Sequence, residues 1–373
     1  MKKTLLLLAA AAVCFACNDK KGSLALMKAE NFADTVDGKP VGLYTLSAGD
    51  LVLQATNYGG RVVSLWTPDR NGNYEDIVLG YENLDRYVNN NGERFLGAPV
   101  GRYANRIAGG CFTLDGVEYT LPQNNNGQTL HGGLTGIDRV VWDVRSATES
   151  RLELTCTVKD GDDGFPGNLT IDMTYELTPQ NEFRVSYKAT TDAPTVVNLS
   201  HHSFFNLKGE GNGTVLDNVL TINGSHTTPV DSVLIPTGEI VSVEGTPFDF
   251  REPHVIGERI DADNEQLRMG KGYDHNWVLD GKGGVELAAT LWEPAGGRYM
   301  EVLTDQPGLQ FYSGNFFTGS NTGKTGKALN FRGSLALETQ KFPDSPNHPY
   351  FPSTVLRPGE TYTQSCIYRF GVK

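Results

Sequence analysis

The sequence predicts an all-β fold, a large antiparallel β-sandwich or barrel, on the basis of three observations. From residue 30 onward no apolar pattern with a period of 3.6 residues is sustained, so long amphipathic helices are not expected. Apolar residues instead recur at every second position in several runs, as they do in half-buried strands. Turn-forming clusters separate these runs, and the chain contains 43 glycines and 18 prolines. Many closely spaced strands with few helices are typical of sandwiches and barrels.

The N-terminal residues 1–16 predict a lipoprotein signal peptide. Two lysines, Lys2 and Lys3, precede an apolar run that is too short to span a bilayer permanently. The stretch before Cys17 resembles a bacterial lipobox, with Ala16 before the cysteine and Cys14 where leucine is usual. Cleavage there would leave Cys17 lipidated, and residues 17–29 would form a polar tether. A soluble signal peptide is the alternative.

Residues 30–373 are predicted to form one domain. Length alone would allow two, but all-β domains often exceed about 200 residues, and no linker, repeat or low-complexity tract interrupts this part of the chain. The strand alternation is clearest over residues 152–158, 169–177 and 183–187. Clusters at residues 57–60, 71–73, 160–164 and 178–181 predict the turns between strands.

Charge and cysteine content exclude some classes of function. The formal net charge is −12, which argues against nucleic acid as a partner, because nucleic acid requires a basic surface. With Cys14 removed and Cys17 acylated, three widely spaced cysteines remain: Cys111, Cys156 and Cys366. An odd number at such spacing predicts neither a disulfide framework nor a metal knuckle, and at most one disulfide can form among them.

The most informative stretch is residues 196–207, where a β-branched, apolar entry leads into polar side chains. On a strand, His201 would share a face with Val197 and Leu199, whereas His202 would share the other face with Asn198 and Phe204. The two histidines therefore cannot act as neighbouring ligands. We predict that His202 is functional and that His201 is structural.

A second cluster, residues 335–344, contains Glu338 at the end of a short apolar run. A carboxylate at a strand end can serve as a base when burial and neighbouring charges raise its pKa. His202 and Glu338 could thus form an acid-base pair.

The stretch from Ser200 to Leu207 resembles the active-site signature of the aldose 1-epimerase (galactose mutarotase) family, roughly Thr-Asn-His-x-Tyr-Phe-Asn-Leu. Three positions depart from it: Ser200 replaces threonine, His201 asparagine and Phe204 tyrosine. The last change removes a hydroxyl that could contact sugar. Five further blocks, in family order, resemble this family, and they lie at residues 101–107, 130–133, 273–277, 308–315 and 338–340.

The resemblance implies a single β-supersandwich that binds a free aldose in a cleft. His202 would be the acid toward the ring oxygen and Glu338 the base toward the C1 hydroxyl, so that the α and β anomers of aldohexoses such as glucose and galactose interconvert through ring opening. No metal or other cofactor is implied. The substrate-binding residues that the resemblance implies are Asn105, Arg106, His131, Phe204, Asp274 and Gln310.

Each of these residues also has a structural interpretation. Arg106 could pair with a carboxylate of the fold, His131 and Asp274 could form turns, and Gln310 could be a paired buried amide. Trp277 is expected in the core rather than as a stacking platform. A glycine-rich run precedes Arg106, but it has neither the spacing nor the lysine of a phosphate loop.

Three other functions remain as alternatives. A glycosidase would require a second carboxylate beside Glu338, and the nearest one along the chain, Asp344, is expected in a loop. A carbohydrate-binding protein would keep the sugar contacts and could dispense with Glu338 or His202. A sugar-phosphate 1-epimerase would require more basic residues than Arg102 and Arg106. The predicted location is the cell envelope, with a lipid anchor as the only membrane contact and a small aldose as the partner.

Overall fold

The computed structural model describes Lys21 and residues 24–89 and 92–373. The predicted signal peptide and the lipidation site at Cys17 lie outside the described residues. Of the predicted tether, the last few residues already contact the folded body. The backbone N–H of Met27 donates to the side chain of Gln54, which donates back to the carbonyl of Met27, and Phe32 is fully buried. The packed part of the chain therefore begins slightly before residue 30.

Strands dominate the described residues, in agreement with the alternation in the sequence. In chain order they are β1 (Asp34–Val36), β2 (Lys39–Val41), β3 (Leu43–Ala48), β4 (Leu51–Thr56), β5 (Val62–Pro68), β6 (Tyr74–Asp76), β7 (Ala98–Val100), β8 (Arg106–Ile107), β9 (Cys111–Leu114), β10 (Val117–Thr120), β11 (Thr129–Leu130), β12 (Asp143–Ala147), β13 (Arg151–Val158), β14 (Leu169–Leu177), β15 (Glu182–Thr191), β16 (Thr195–Val196), β17 (Ser200–His202), β18 (Val219–Ile222), β19 (His226–Thr228), β20 (Val241–Ser242), β21 (His254–Val255), β22 (Asp274–Val278), β23 (Glu286–Trp292), β24 (Arg298–Thr304), β25 (Gly308–Tyr312), β26 (Ala336–Gln340), β27 (Val355–Leu356) and β28 (Tyr362–Val372).

Helices are few and short. The α-helices are α1 (Asp85–Val88), α2 (Ile256–Arg259) and α3 (Glu265–Gly270), and single 3₁₀ turns occur at Ala29–Phe32, Ala108–Gly110, Ile137–Arg139, Asp162–Gly164 and Ser345–Asn347. None of the helices among the described residues combines the length and apolar character that crossing a membrane requires.

Three antiparallel sheets form the framework. The largest has nine strands in the order β12-β13-β14-β15-β28-β24-β23-β18-β21. A five-stranded sheet runs β20-β19-β22-β25-β26, and a four-stranded sheet runs β3-β4-β5-β6. Short strand pairs, among them β17-β7 and β11-β8, complete the region around the candidate site. The architecture is the all-β antiparallel fold that the sequence predicted.

The three clearest alternating runs of the sequence coincide with β13, β14 and β15. These strands pair consecutively and antiparallel, with Leu154 opposite Met173 and Met173 opposite Tyr187. Buried and exposed positions alternate almost throughout β14 and β15. The period of two thus reflects one face on the core and one in solvent.

A single large apolar core joins the three sheets. Leu53 of the four-stranded sheet, Met173 and Val302 of the nine-stranded sheet, and Trp277 and Phe311 of the five-stranded sheet belong to one contiguous buried cluster. Trp277 is fully buried and donates from its indole N–H to the carbonyl of Phe248, so it is a core residue, as predicted. The three cysteines among the described residues, Cys111, Cys156 and Cys366, are unpaired thiols.

Candidate active site

A cleft of about 280 Å³ opens where the five-stranded sheet meets the short strands β7, β8, β11 and β17. Its size is at the small end of the range for ligand pockets, as suits a single sugar ring. The lining residues are Glu93, Phe95, Asn105, Arg106, Asn125, Asn126, Leu130, His131, His202, Phe204, Leu234, Asp274, Tyr312, Phe316 and Glu338.

Three neighbouring strands carry a row of polar side chains, of which Asp274 and Glu338 line one wall of the cleft. In the register of β22, β25 and β26, Asn276 lies opposite Gln310, and Gln310 lies opposite Glu338. Asp274 is two residues from Asn276 and therefore projects from the same face. The intervening residues, such as Trp277 and Phe311, enter the core. Strand alternation thus separates a polar face from an apolar one.

Glu338 lies in the middle of β26, not at the end of a strand as the sequence suggested. The strand is buried along its whole length, so the apolar run gave no indication of where the strand ends. The carboxyl group is 2% exposed, and its Oε2 accepts no hydrogen bond from the described chain. Burial, and then the negative charge of Asp274, raise the pKa of Glu338 well above its usual value, while Arg106 opposes this shift.

His202 is the last residue of β17, which pairs with β7 so that His202 lies opposite Ala98. Its Nε2 is 3.4 Å from Oε1 of Glu338. The imidazole packs nearly parallel to the ring of Phe95, at 6.1 Å between centroids, and against Phe204 at 4.6 Å. Burial lowers the pKa of His202 to about 4. The structure thus brings together the two side chains that the sequence selected as an acid-base pair.

His201 points away from the cleft, as the alternation along the strand predicted. Its ring packs against Tyr175, Phe183 and Tyr368, and its Nε2 is 2.7 Å from the hydroxyl of Ser203. Burial lowers the pKa of His201 to about 3. The chain between β16 and β17 is irregular, however, so the stretch is two short strands rather than one.

Asn105 and His131 hold each other in place through their backbones. Both have a left-handed conformation, with φ of 63° and 50°. The backbone N–H of His131 donates to the carbonyl of Asn105, and the backbone N–H of Asn105 donates to Nδ1 of His131. Because Nδ1 accepts, the proton of the neutral ring resides on Nε2. Burial lowers the pKa of His131 well below its usual value, so the ring is neutral and offers an N–H donor.

The glycine after His131 is required by close packing. Gly132 has φ of 88°, and a Cβ built on it would lie 1.9 Å from the carbonyl oxygen of Gly101. Only glycine fits this contact. The contact brings the turn that contains His131 close to the segment that contributes Asn105 and Arg106.

Arg106 is the cation of the cleft wall. It is 7% exposed, and its Nε donates to the side-chain oxygen of Asn125. Burial lowers its pKa, and the charges of Asp274 and then Glu338 oppose that shift. Within the described chain the side chain of Arg106 forms the hydrogen bond to Asn125 and no ion pair, so its guanidinium nitrogens beyond Nε are available to a ligand.

Asp274 and Gln310 act together. The amide of Gln310 donates to Oδ1 of Asp274 at 2.7 Å, and Gln310 does not itself line the cleft. Burial raises the pKa of Asp274, and Arg106 opposes this. The resemblance predicts Gln310 as a substrate contact. In the structure its amide donates to Asp274, and a contact of its own with the substrate stays a prediction.

Phe204 is 1% exposed and packs with Tyr312 and Phe317 behind His202.

Several other residues that line the cleft were not indicated by any motif in the sequence. Tyr312 could have been found, because it lies two positions after Gln310 on the same strand face. Glu93, Phe95 and Leu234 come from loops whose path depends on the tertiary fold.

Two charged residues considered from the sequence lie elsewhere. Arg102 is buried, and its guanidinium donates to the carbonyl of Pro166 and the hydroxyl of Thr195. Asp344 lies in a loop, where it accepts from the backbone N–H of Ala108. It does not line the cleft, so it is not the second carboxylate of a glycosidase site.

A metal ion could in principle be held by His131, His202 and Glu338, whose ligand atoms lie within 4.8 Å of one another. The sequence had suggested no third ligand near His202. However, the hydrogen bond from Asn105 to Nδ1 of His131 keeps a proton on Nε2, the nitrogen that a metal would require. His131 is therefore better suited to donate a hydrogen bond from Nε2 than to bind a metal ion.

Comparison with known proteins identifies the relatives of this chain. A family model described as aldose 1-epimerase matches residues 42–369. Galactose mutarotase from Bos taurus is 40% identical over 329 residues, covering 88% of this chain and 94% of its own. Aldose 1-epimerase from Escherichia coli is 39% identical over 339 residues, covering 90% and 96%.

Solved structures show the same fold. The crystal structure of an aldose epimerase homologue from C. elegans superposes with a TM-score of 0.82 at 30% identity, and the match covers 89% of this chain and 99% of that one.

Proposed function

The chain belongs to the aldose 1-epimerase family, and we propose that Glu338 and His202 carry out its reaction, the interconversion of the α and β anomers of a free aldohexose. The enzyme is an isomerase of carbohydrates. The observation that supports this assignment of roles is the contact between His202 Nε2 and Glu338 Oε1, 3.4 Å apart at the wall of a cleft of sugar size.

The reaction moves two protons and leaves no net change. Glu338 takes the proton of the C1 hydroxyl, and His202 gives a proton to the ring oxygen. The bond between C1 and the ring oxygen breaks with its electron pair on oxygen, and C1 becomes an aldehyde carbon. Rotation about the C1–C2 bond by about half a turn and closure from the other face yield the second anomer. During closure the two side chains exchange roles.

The remaining cleft residues hold the sugar. Arg106 donates from its guanidinium, His131 donates from Nε2, and Asp274 accepts from sugar hydroxyls while Gln310 fixes its orientation. Asn105 holds His131 through its backbone, and its side-chain Oδ1 accepts from the backbone N–H of Arg106. Phe204 supports the ring of His202.

The experiment that tests this proposal is polarimetry on freshly dissolved α-glucose and α-galactose. The mature chain should accelerate the approach to the equilibrium rotation. Glu338→Gln and His202→Asn should each lower kcat by at least about 10²-fold, because a positioned proton-transfer group typically contributes about 10²–10⁴-fold. Calorimetric titration should show that both variants still bind the sugar.

A wild-type chain that binds sugar without accelerating mutarotation would contradict this proposal and favour a carbohydrate-binding protein. Variants that retain most of the rate would contradict the assignment of roles alone.

We also propose that Cys17 carries a lipid that holds the enzyme at the cell envelope. Three features of the sequence support this: the basic start, the apolar run up to residue 16 and the lipobox-like Ala16-Cys17. A single lipid chain binds membranes weakly, so stable anchoring requires the two or more chains of a modified N-terminal cysteine.

The test is metabolic labelling with a radioactive fatty acid in a bacterial host, followed by membrane fractionation. The wild type should be labelled and sediment with membranes, and Cys17→Ser should be unlabelled. Label in the serine variant, or a wild type without label, would contradict the anchor.

A further inference from the structure

Glu93 is a carboxylate of the cleft to which no role has yet been assigned. It lines the cavity, and its segment is held on both sides. The hydroxyl of Tyr81 accepts from the backbone N–H of Glu93. The next residue, Arg94, binds both oxygens of the fully buried Asp138. Glu93 therefore faces the cleft from a fixed backbone.

One oxygen of Glu93 is free for a ligand. Oε1 accepts from the backbone N–H of Phe95 at 3.2 Å. Phe95 provides the one hydrogen bond of standard geometry to this carboxylate within the described chain, which leaves Oε2 open to the cleft. Burial raises the pKa of Glu93, and the backbone N–H groups of Phe95 and Arg94 oppose that shift. The ring of Phe95 in turn packs against the rings of His202 and His131. Phe95 therefore links the carboxylate of Glu93 to the two histidines of the cleft.

The cleft contains more carboxyl groups than cationic side chains. Its acidic and basic lining residues among those described are three carboxyl groups whose pKa values burial raises (Glu93, Asp274 and Glu338), the guanidinium of Arg106, and two histidines whose pKa values burial lowers. None of the described residues that line the cavity is a lysine. A site built for a phosphate or carboxylate would show the opposite balance, with several donors and cations.

We propose that Glu93 is a specificity residue that restricts the cleft to aldoses without an anionic substituent. Its Oε2 accepts a hydrogen bond from a sugar hydroxyl, and its charge repels sugar phosphates and uronic acids. This inference rests on the proposed mutarotase activity and adds the class of aldose that is accepted. A cavity of about 280 Å³ keeps every substituent of a bound hexose within a Debye length of Glu93, so the repulsion is only partly screened.

The experiment compares three substrates that differ only at C6: a hexose, the corresponding hexuronic acid and the 6-amino-6-deoxyhexose. Catalysed mutarotation gives kcat/KM for each. In the wild type, kcat/KM for the uronic acid should be about tenfold or more below that of the neutral hexose, and the amino sugar should equal or exceed it. Glu93→Gln should raise the ratio of uronic acid to hexose about tenfold, while Glu93→Asp, which keeps the charge, should leave the ratio low.

Salt provides a second readout that requires no variant. Raising the ionic strength should increase the uronic acid to hexose ratio of the wild type and change that of Glu93→Gln much less. An unchanged ratio in Glu93→Gln, or a salt effect equal in both proteins, would overturn the inference. These outcomes are separate from the proposed function, which fails only if the neutral hexose is not turned over.

Discussion

Glu338 and His202 are ionisable side chains that are both buried, and burial favours the neutral form of each. The pKa of Glu338 rises and that of His202 falls, so over the range between them the pair holds one proton. Such a pair titrates as a unit with two apparent pKa values. In the free enzyme these shifts place the proton on Glu338, and the reaction starts from the form in which it has moved to His202. In that form His202 can protonate the ring oxygen while the ionised Glu338 receives the proton of the C1 hydroxyl. We therefore expect a bell-shaped dependence of kcat/KM on pH.

Asp274 should control the alkaline limb of that profile. Its negative charge raises the pKa of Glu338. Asp274→Asn removes the charge, so the pKa of Glu338 should fall and the alkaline limb should move to lower pH by about one unit. Asp274→Glu keeps the charge and serves as the control. The measurement is kcat/KM for galactose across pH, and a limb that moves upward or stays in place would contradict the account.

Substitutions of Asn105 test how much the left-handed backbone beside His131 affects the stability of the protein. Its φ of 63° is left-handed, a conformation that costs most residues about 1–2 kcal/mol. Asn105→Gly and Asn105→Ala both remove the amide, but only glycine adopts this backbone without strain. The alanine variant should be less stable than the glycine variant by about 1 kcal/mol in urea unfolding. Equal stability would show that the strain is released elsewhere.

Single residues also show which parts of the site could be predicted from the sequence. His202 could be proposed because its position on a strand separates it from the apolar face, and Glu338 because it ends a short apolar run. The place of Glu338 in the middle of β26 could not be predicted from that run. Glu93 could not, because nothing in its local sequence indicates that its loop folds against the cleft. The contact of Gln310 with the substrate stays a prediction, and the hydrogen bond from its amide to Asp274 could not be predicted from the sequence.

At the scale of elements, alternation predicted β13, β14 and β15 because one face of each lies in the core and the other in solvent. The same signal is absent from β22, β25 and β26, which are buried on both faces almost throughout. These are the strands that display Asp274, Gln310 and Glu338. The strands that carry the catalytic residues are therefore the ones that the alternation of apolar residues predicts least well, because both of their faces are buried.

The loop between β25 and β26 is attached to the body by a buried ion cluster. Lys324 lies 3.1 Å from Asp76 and 3.3 Å from Glu210, and it donates to the carbonyls of Val63 and Val78. Its two acidic partners raise the pKa of Lys324 to about 12 although burial opposes this.

Removing this lysine should destabilise the protein strongly. Lys324→Met leaves two buried carboxylates without their cation, which typically costs about 3–5 kcal/mol. Adding Asp76→Asn and Glu210→Gln should recover part of that loss, since the uncompensated charges are then gone. Urea unfolding measures both variants, and a Lys324→Met protein within about 1 kcal/mol of the wild type would contradict this role.

At the scale of the whole molecule, the active site is an assembly of distant parts of the chain. The five-stranded sheet provides the acidic wall, and β17 provides His202. Strand β8 provides Arg106, and the turn after β11 provides His131. One apolar core connects the three sheets, so these parts are fixed relative to one another. Composition and turn chemistry predicted the class of fold, but only the packing of the sheets defines the cleft.

The measurement that tests the central claim most directly is the rate of exchange between galactose anomers at equilibrium, followed by NMR with the wild type, Glu338→Gln, His202→Asn and the double variant. If the two groups act as one proton-transfer unit, each single variant should lose at least about 10²-fold, and the double variant should be little worse than either. A single variant that keeps more than a tenth of the wild-type rate, or losses that multiply fully in the double variant, would contradict the shared role of Glu338 and His202.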